Sequence, residues 1–211
     1  MIFKRLLVLA PHTDDAELGC GGSMARLLEE GVDIHVVAFS SAEESRPAGS
    51  EPYRLRREFQ AALKAMGLPD DHVRCHDYPV RRFSYQRQEI LEDLVALRRE
   101  LAPDAVFLPT GSDLHQDHQV IAAEGLRAFK EVSVWGYELP WNHITFSANA
   151  FITLEPRHVE AKWQALQHYA SQLELARSYF TRETVESMAR FRGLQVKTTY
   201  AEAFELMRFR Y

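Results

Sequence analysis

Over its first 140 residues the chain alternates short, continuously apolar runs with longer amphipathic stretches, and nothing else in it constrains the fold as much. The runs at residues 3–9, 34–39, 73–76, 105–108 and 132–137 read as strands. They are apolar on both faces, as strands of a parallel sheet covered on two sides must be. Between them the pattern predicts helices over 22–30, 53–66 (stopped by Gly67), 85–101 and 118–130. In the third of these, Ile90, Leu94, Leu97 and Leu101 recur at helical spacing and line one face. Pro103 follows, where a helix has to have ended. Such βα alternation predicts an α/β fold with a doubly wound, mainly parallel, Rossmann-like sheet. After Pro140 the reading is a loop (141–149), a short strand (151–154), helices over 156–173 and 183–190, and a last strand (200–209). Neither a linker nor a repeat interrupts this, so residues 1–211 are expected to form one domain with a C-terminal elaboration.

Composition narrows the function. A chain of 211 residues, 46% hydrophobic and 26% charged, can bury a sizeable core without disulfide staples. A formal net charge of −5 argues against nucleic acid and anionic lipid as partners, a local basic groove aside. The apolar run at 6–10 is too short for a signal-peptide core, and no 18 consecutive apolar residues occur to span a bilayer. The two cysteines, Cys20 and Cys75, form neither a metal nor a disulfide pattern. The expectation is a cytoplasmic protein with no membrane span, its oligomeric state open.

Two clusters carry the chemistry. Pro11-His12-Thr13-Asp14-Asp15-Ala16-Glu17 follows the first strand, and Asp113-Leu114-His115-Gln116-Asp117-His118 follows the fourth. Both therefore fall at carboxyl ends of strands, where open α/β sheets bind ligands. Adjacent carboxylates beside histidine repel one another unless a cation or hydrogen-bond donors hold them, and their mixed nitrogen and oxygen donors suit zinc or another divalent transition metal. Either cluster alone reads equally as a loop with a helix cap; the two together favour a mononuclear metal site.

These residues make the chain similar to the PIG-L/LmbE-like family of zinc-dependent deacetylases, which act on N-acetylglucosamine-type sugars. The family's His-Pro-Asp-Asp-Glu motif is matched by His12-Thr13-Asp14-Asp15 with the glutamate at Glu17, and its Asp-x-His-x-Asp-His motif by Asp113, His115, Asp117 and His118. Segments 135–142, 169–172 and 192–204 resemble its polysaccharide-pathway members. Thr13 departs from the usual proline without removing a ligand. The resemblance implies that His12, Asp15 and His118 bind the metal. It also implies that Asp14 is the general base that takes a proton from the metal-bound water, and that His115, if protonated, is an acid or electrostatic helper. Asp113 and Asp117 would orient the histidines, or else serve as solvated or capping groups.

Weaker readings complete the picture. Glu44, Arg82, Trp141, Arg192 and Glu202 are expected to surround a substrate bearing an N-acetyl amino sugar. For the loop 43–46 an exposed polar loop is the better reading, and for Arg81 and Arg82 an ordinary solvated pair explains the residues equally well. The glycine run 19–22 lacks the G-x-G-x-x-G order, which disfavours a dinucleotide oxidoreductase and reads as tight helix packing, with Cys20 buried. Trp135 is expected in the core, and the six histidines outside the clusters are expected to be surface or satisfied core residues. A hydrolase of another small amide, or a non-catalytic sugar-binding relative, is the alternative function.

Overall fold

The protein is described by a computed structural model covering residues 3–45 and 49–210. Seven strands form one sheet: β1 (Arg5–His12), β2 (Asp33–Ser40), β3 (Val73–Cys75), β4 (Ala105–Pro109), β5 (Ser133–Tyr137), β6 (Ala150–Leu154) and β7 (Tyr200–Arg208). Their order is β3-β2-β1-β4-β5-β7-β6. The first five strands are mutually parallel, and β7 runs antiparallel between β5 and β6. The expected single α/β domain with a mainly parallel sheet is what forms. No helix among the described residues is long and apolar enough to cross a membrane.

The sheet is buried on both faces. Along β1, Leu6, Val8 and Ala10 point into one apolar layer and Leu7 and Leu9 into the other, the period-two alternation a strand imposes. The first layer is closed by α1 (Asp15–Glu29), α2 (Arg54–Ala65), α5 (Pro156–Leu166) and α7 (Arg182–Gln195), the second by α3 (Arg87–Leu101) and α4 (Gln116–Ala128). Ile90, Leu94, Leu97 and Leu101 form the buried face of α3.

Three helices differ from the pattern read along the chain, α7 by running five residues past the expected end at 190. α1 begins at Asp15, seven residues before the expected start, and carries a kink where Cys20 leaves helical geometry (φ −144°, ψ 23°). The poor helix propensity of its glycines hides this first half, but the glycines are needed for packing. A Cβ on Gly19 would stand 2.3 Å from the Tyr137 ring, and one on Gly22 would stand 2.6 Å from Leu154. The Gly22 and Ser23 N–H groups both donate to the Glu202 carboxylate, at 3.1 and 2.6 Å. The expected helix over 156–173 is broken after Leu166 and resumes as α6 (Ala170–Glu174), because Tyr169 adopts non-helical angles (φ −87°, ψ 65°) and is fully buried.

Candidate metal centre

The sheet order reverses between β1 and β4, which makes their carboxyl ends the topological switch point of the fold. His12 is the last residue of β1 and Asp15 the first of α1, while His118 stands in the first turn of α4 beyond β4. Residues 106 positions apart in sequence thus meet. His12 Nδ1, Asp15 Oδ2 and His118 Nε2 form a triangle with edges of 3.3, 3.2 and 3.3 Å. A tetrahedral zinc with bonds of about 2.0–2.1 Å separates its ligands by about 3.3–3.4 Å, so this donor set fits such an ion.

The opposite nitrogen of each imidazole is already engaged. His12 Nε2 lies 3.0 Å from Asp117 Oδ2, and His118 Nδ1 lies 2.7 Å from Asp113 Oδ2. Imidazoles that donate to those carboxylates carry their lone pairs on the inner nitrogens, aimed at each other and at Asp15. The two outer carboxylates are in turn fixed. Asp117 also accepts from the Arg81 backbone N–H at 2.6 Å, and Asp113 from the His115 N–H at 2.8 Å and from Asn142 at 3.3 Å.

Three lone pairs at such separations suit a cation between them. Burial opposes a charge on His118, but Asp15 and Asp113 outweigh it and raise its pKa to about 10. Burial likewise opposes the Asp15 carboxylate, yet His118 and His12 hold it far below the usual carboxylate range. His12, Asp117 and His115 sit around this centre, and the His115 ring reaches His12 and His118 closely enough that the three histidines form a second, looser donor group within 4.8 Å. The Asp15 triangle is the tighter of the two. His115 Nδ1 is moreover occupied, accepting the Asp117 backbone N–H at 3.2 Å as the cap of α4.

The same bond changes the reading of His115 as a protonated acid. A nitrogen that accepts a backbone N–H carries no proton, and burial followed by the charges of His118 and His12 lowers the His115 pKa. With Nδ1 accepting, the ring's N–H falls on Nε2.

Asp14 precedes α1, makes no capping bond, and faces a cleft of about 620 Å³. Burial, then the neighbouring Asp15 charge, pushes its pKa up to about 7. Glu17 is fully buried behind it. Tyr169 Oη lies 2.7 Å from both the Thr13 carbonyl oxygen and Glu17 Oε1. The Tyr169 hydroxyl donates to both oxygens, and burial raises the Glu17 pKa to about 8 against that bond. This buried link props the turn between His12 and Asp15.

Of the residues expected around a substrate, Trp141 lines the cleft, its ring stacked on Tyr179 at 4.2 Å. The others do not line it. Glu44 accepts the Val80 N–H at 3.3 Å, and Arg82 is exposed away from the cleft. Arg192 forms a two-pronged ion pair with Glu138. Glu202 is consumed by the backbone of α1 and by Lys162 at 2.7 Å. For Glu202, and for Arg192 beside the buried Glu138, the placement follows from buried charges needing partners. Arg46 lies outside the described residues. The cleft wall instead includes Ser41, Arg54, Asn142, Gln172, Arg177 and Tyr179. Arg177 and Tyr179 sit in a stretch without periodicity or motif, so no pattern in the chain signals them.

The PIG-L model, described as GlcNAc-PI de-N-acetylase, matches residues 7–129, which contain both clusters. An uncharacterized deacetylase, YaiS of Escherichia coli, is 26% identical over 179 residues, 80% of this chain and 91% of that protein. The diacetylchitobiose deacetylase of Thermococcus kodakarensis is 24% identical over 131 residues, 59% of this chain; the match spans about half (49%) of that protein. The crystal structure of the conserved protein TT1542 of Thermus thermophilus superposes with a TM-score of 0.77 at 25% identity, covering 98% of this chain and 95% of that one.

Proposed function

The chain belongs to the PIG-L family, and from that premise we propose that it hydrolyses the N-acetyl group of an N-acetylglucosamine-type sugar or conjugate to acetate and a free amine. The observation that carries this reading is the triangle of converging donors 3.2–3.3 Å apart beside a carboxylate poised near neutral pH. His12, Asp15 and His118 would hold zinc, or another divalent transition metal, with Asp117 and Asp113 orienting the two imidazoles. When bound, such an ion polarises the amide carbonyl and acidifies a water.

The chain's own residues then supply the proton traffic. Asp14, with a pKa of about 7, accepts a proton from the attacking water as its oxygen bonds to the carbonyl carbon. The neutral His115 offers an N–H to the developing oxyanion. As the C–N bond breaks, Asp14 returns its proton to the departing nitrogen, and the proton left on the former water oxygen passes to the amine, giving acetate and the ammonium form. Trp141 and Tyr179 offer an aromatic wall to the apolar face of a pyranose. Action in the cytoplasm belongs to the same proposal, consistent with Cys20 and Cys75 standing as free thiols.

The test is acetate release by zinc-reconstituted protein from a panel of N-acetyl sugars and non-sugar amides, with mass detection of the loss of one acetyl group. Turnover of sugars supports the proposal. Cleavage of non-sugar amides alone, or sugar binding without turnover, overturns it.

A further inference from the structure

The cleft holds two arginines, and their circumstances differ. Arg54 is neutralised, reaching Glu58 at 3.0 Å and the Glu174 carboxylate at 2.7 and 3.0 Å. Arg177 lines the same cleft and has no carboxylate partner among the described residues. Its guanidinium is nevertheless not loose. It donates to Tyr179 Oη at 2.7 Å, and Tyr179 is itself stacked on Trp141. Arg177 and Asp14 line the same cleft, and no ion pair joins them.

A guanidinium held in place at the mouth of a cleft, with no acid of its own, is arranged for an acid brought by the ligand. No ion pair ties it to an acid among the described residues, and the stacked Trp141 and Tyr179 rings lie beside it. We propose that Arg177 receives an acidic group, a carboxylate or a phosphate, carried by the substituent attached to the N-acetylhexosamine, so that the enzyme prefers acidic conjugates over neutral ones. This rests on the deacetylase reading above and names the substrate class within it. Preorganisation by Tyr179 lets the pair form without first ordering a long side chain.

The test compares three substrates sharing one anomeric configuration, methyl N-acetylglucosaminide, its carboxymethyl counterpart and N-acetylglucosamine 1-phosphate, on zinc-loaded wild type, Arg177→Ala and Arg177→Lys. The expected result is a preference of roughly tenfold in kcat/KM for an acidic substrate, expressed mainly in KM, which shrinks to about one in Arg177→Ala and is partly kept in Arg177→Lys. Which acidic substrate gains identifies the acid as carboxylate or phosphate. No preference in the wild type, or a preference that survives Arg177→Ala, overturns the proposal. So does an equal fall on all three substrates, which would mean that Arg177 serves only Asp14. Should none of them release acetate, the deacetylase reading fails separately, and calorimetric titration of the same glycosides decides for Arg177. Tighter binding of the acidic ones that is lost in Arg177→Ala sustains it, and equal affinity overturns it.

Discussion

At the scale of residues, Asp14 and Asp15 are neighbours in sequence with opposite electrostatic fates. Asp15 lies between two imidazoles that keep it ionised, whereas for Asp14, facing the cleft, burial and the like charge of Asp15 outweigh His12, Arg177 and His118. Asp14→Asn is expected to keep metal binding and lose turnover about a hundredfold or more; Asp15→Asn is expected to lose the metal. Metal analysis beside initial rates checks both, and the reverse outcome would exchange the two roles. His118 yields a pH prediction. Its pKa in the folded, metal-free protein is raised to about 10 from an ordinary 6.5. The stabilisation is complete below 6.5 and is lost as pH climbs through 10. The melting temperature of metal-free protein should therefore fall over that window. Zinc binding at pH 7.5 should release at least one proton, read by calorimetry in buffers of different ionisation enthalpy.

At the scale of elements, α1 shows how a sequence with poor helical credentials becomes a helix. Its glycines cost propensity but allow it to lie against Tyr137 and Leu154, and Glu202 gathers the N–H groups that the kink at Cys20 leaves over. Tyr137 cannot withdraw, because it is fully buried and its hydroxyl donates to the Leu9 carbonyl at 3.1 Å. Gly19→Ala is accordingly expected to destabilise the fold by about 1–3 kcal/mol through overpacking. Glu202→Gln should cost more, about 3–5 kcal/mol, since it strands the buried Lys162 ammonium. Denaturant titration measures both. A Glu202→Gln protein of unchanged stability but weakened sugar affinity would return Glu202 to the binding site.

At the scale of the molecule, the two clusters come from opposite sides of the sheet's switch point, His12 and Asp15 on the β1 side and His118 on the β4 side. An ion shared by them cross-links two βα units, and since only the folded chain assembles the triangle, binding is coupled to global stability. At zinc a thousandfold above its dissociation constant the folded state should gain about 4 kcal/mol. Thermal melting with zinc and with chelator checks this. Hydrogen exchange should slow together in the turn after β1 and at the start of α4, with β6 unaffected; equal melting of both forms would count against a metal centre.

What the amino-acid sequence determined by itself was the sheet and the place of its chemistry. Parallel strands buried on both faces are written as continuous apolar runs, and His12 to Glu17 and Asp113 to His118 directly follow two of them, so fold class and site location are local patterns. The start of α1 was hidden because glycine propensity and glycine packing point in opposite directions. Tertiary structure alone decided which side chains the cleft receives. Glu202 and Arg192 look like free polar groups along the chain, but burial binds them to Lys162 and Glu138. Arg177 and Tyr179 carry no pattern at all, yet the break at Tyr169 turns their segment over the metal triangle. Periodicity reports how a residue sits in its own element, whereas partners 40 to 180 positions away are set by strand order and by the requirement that every buried charge be met.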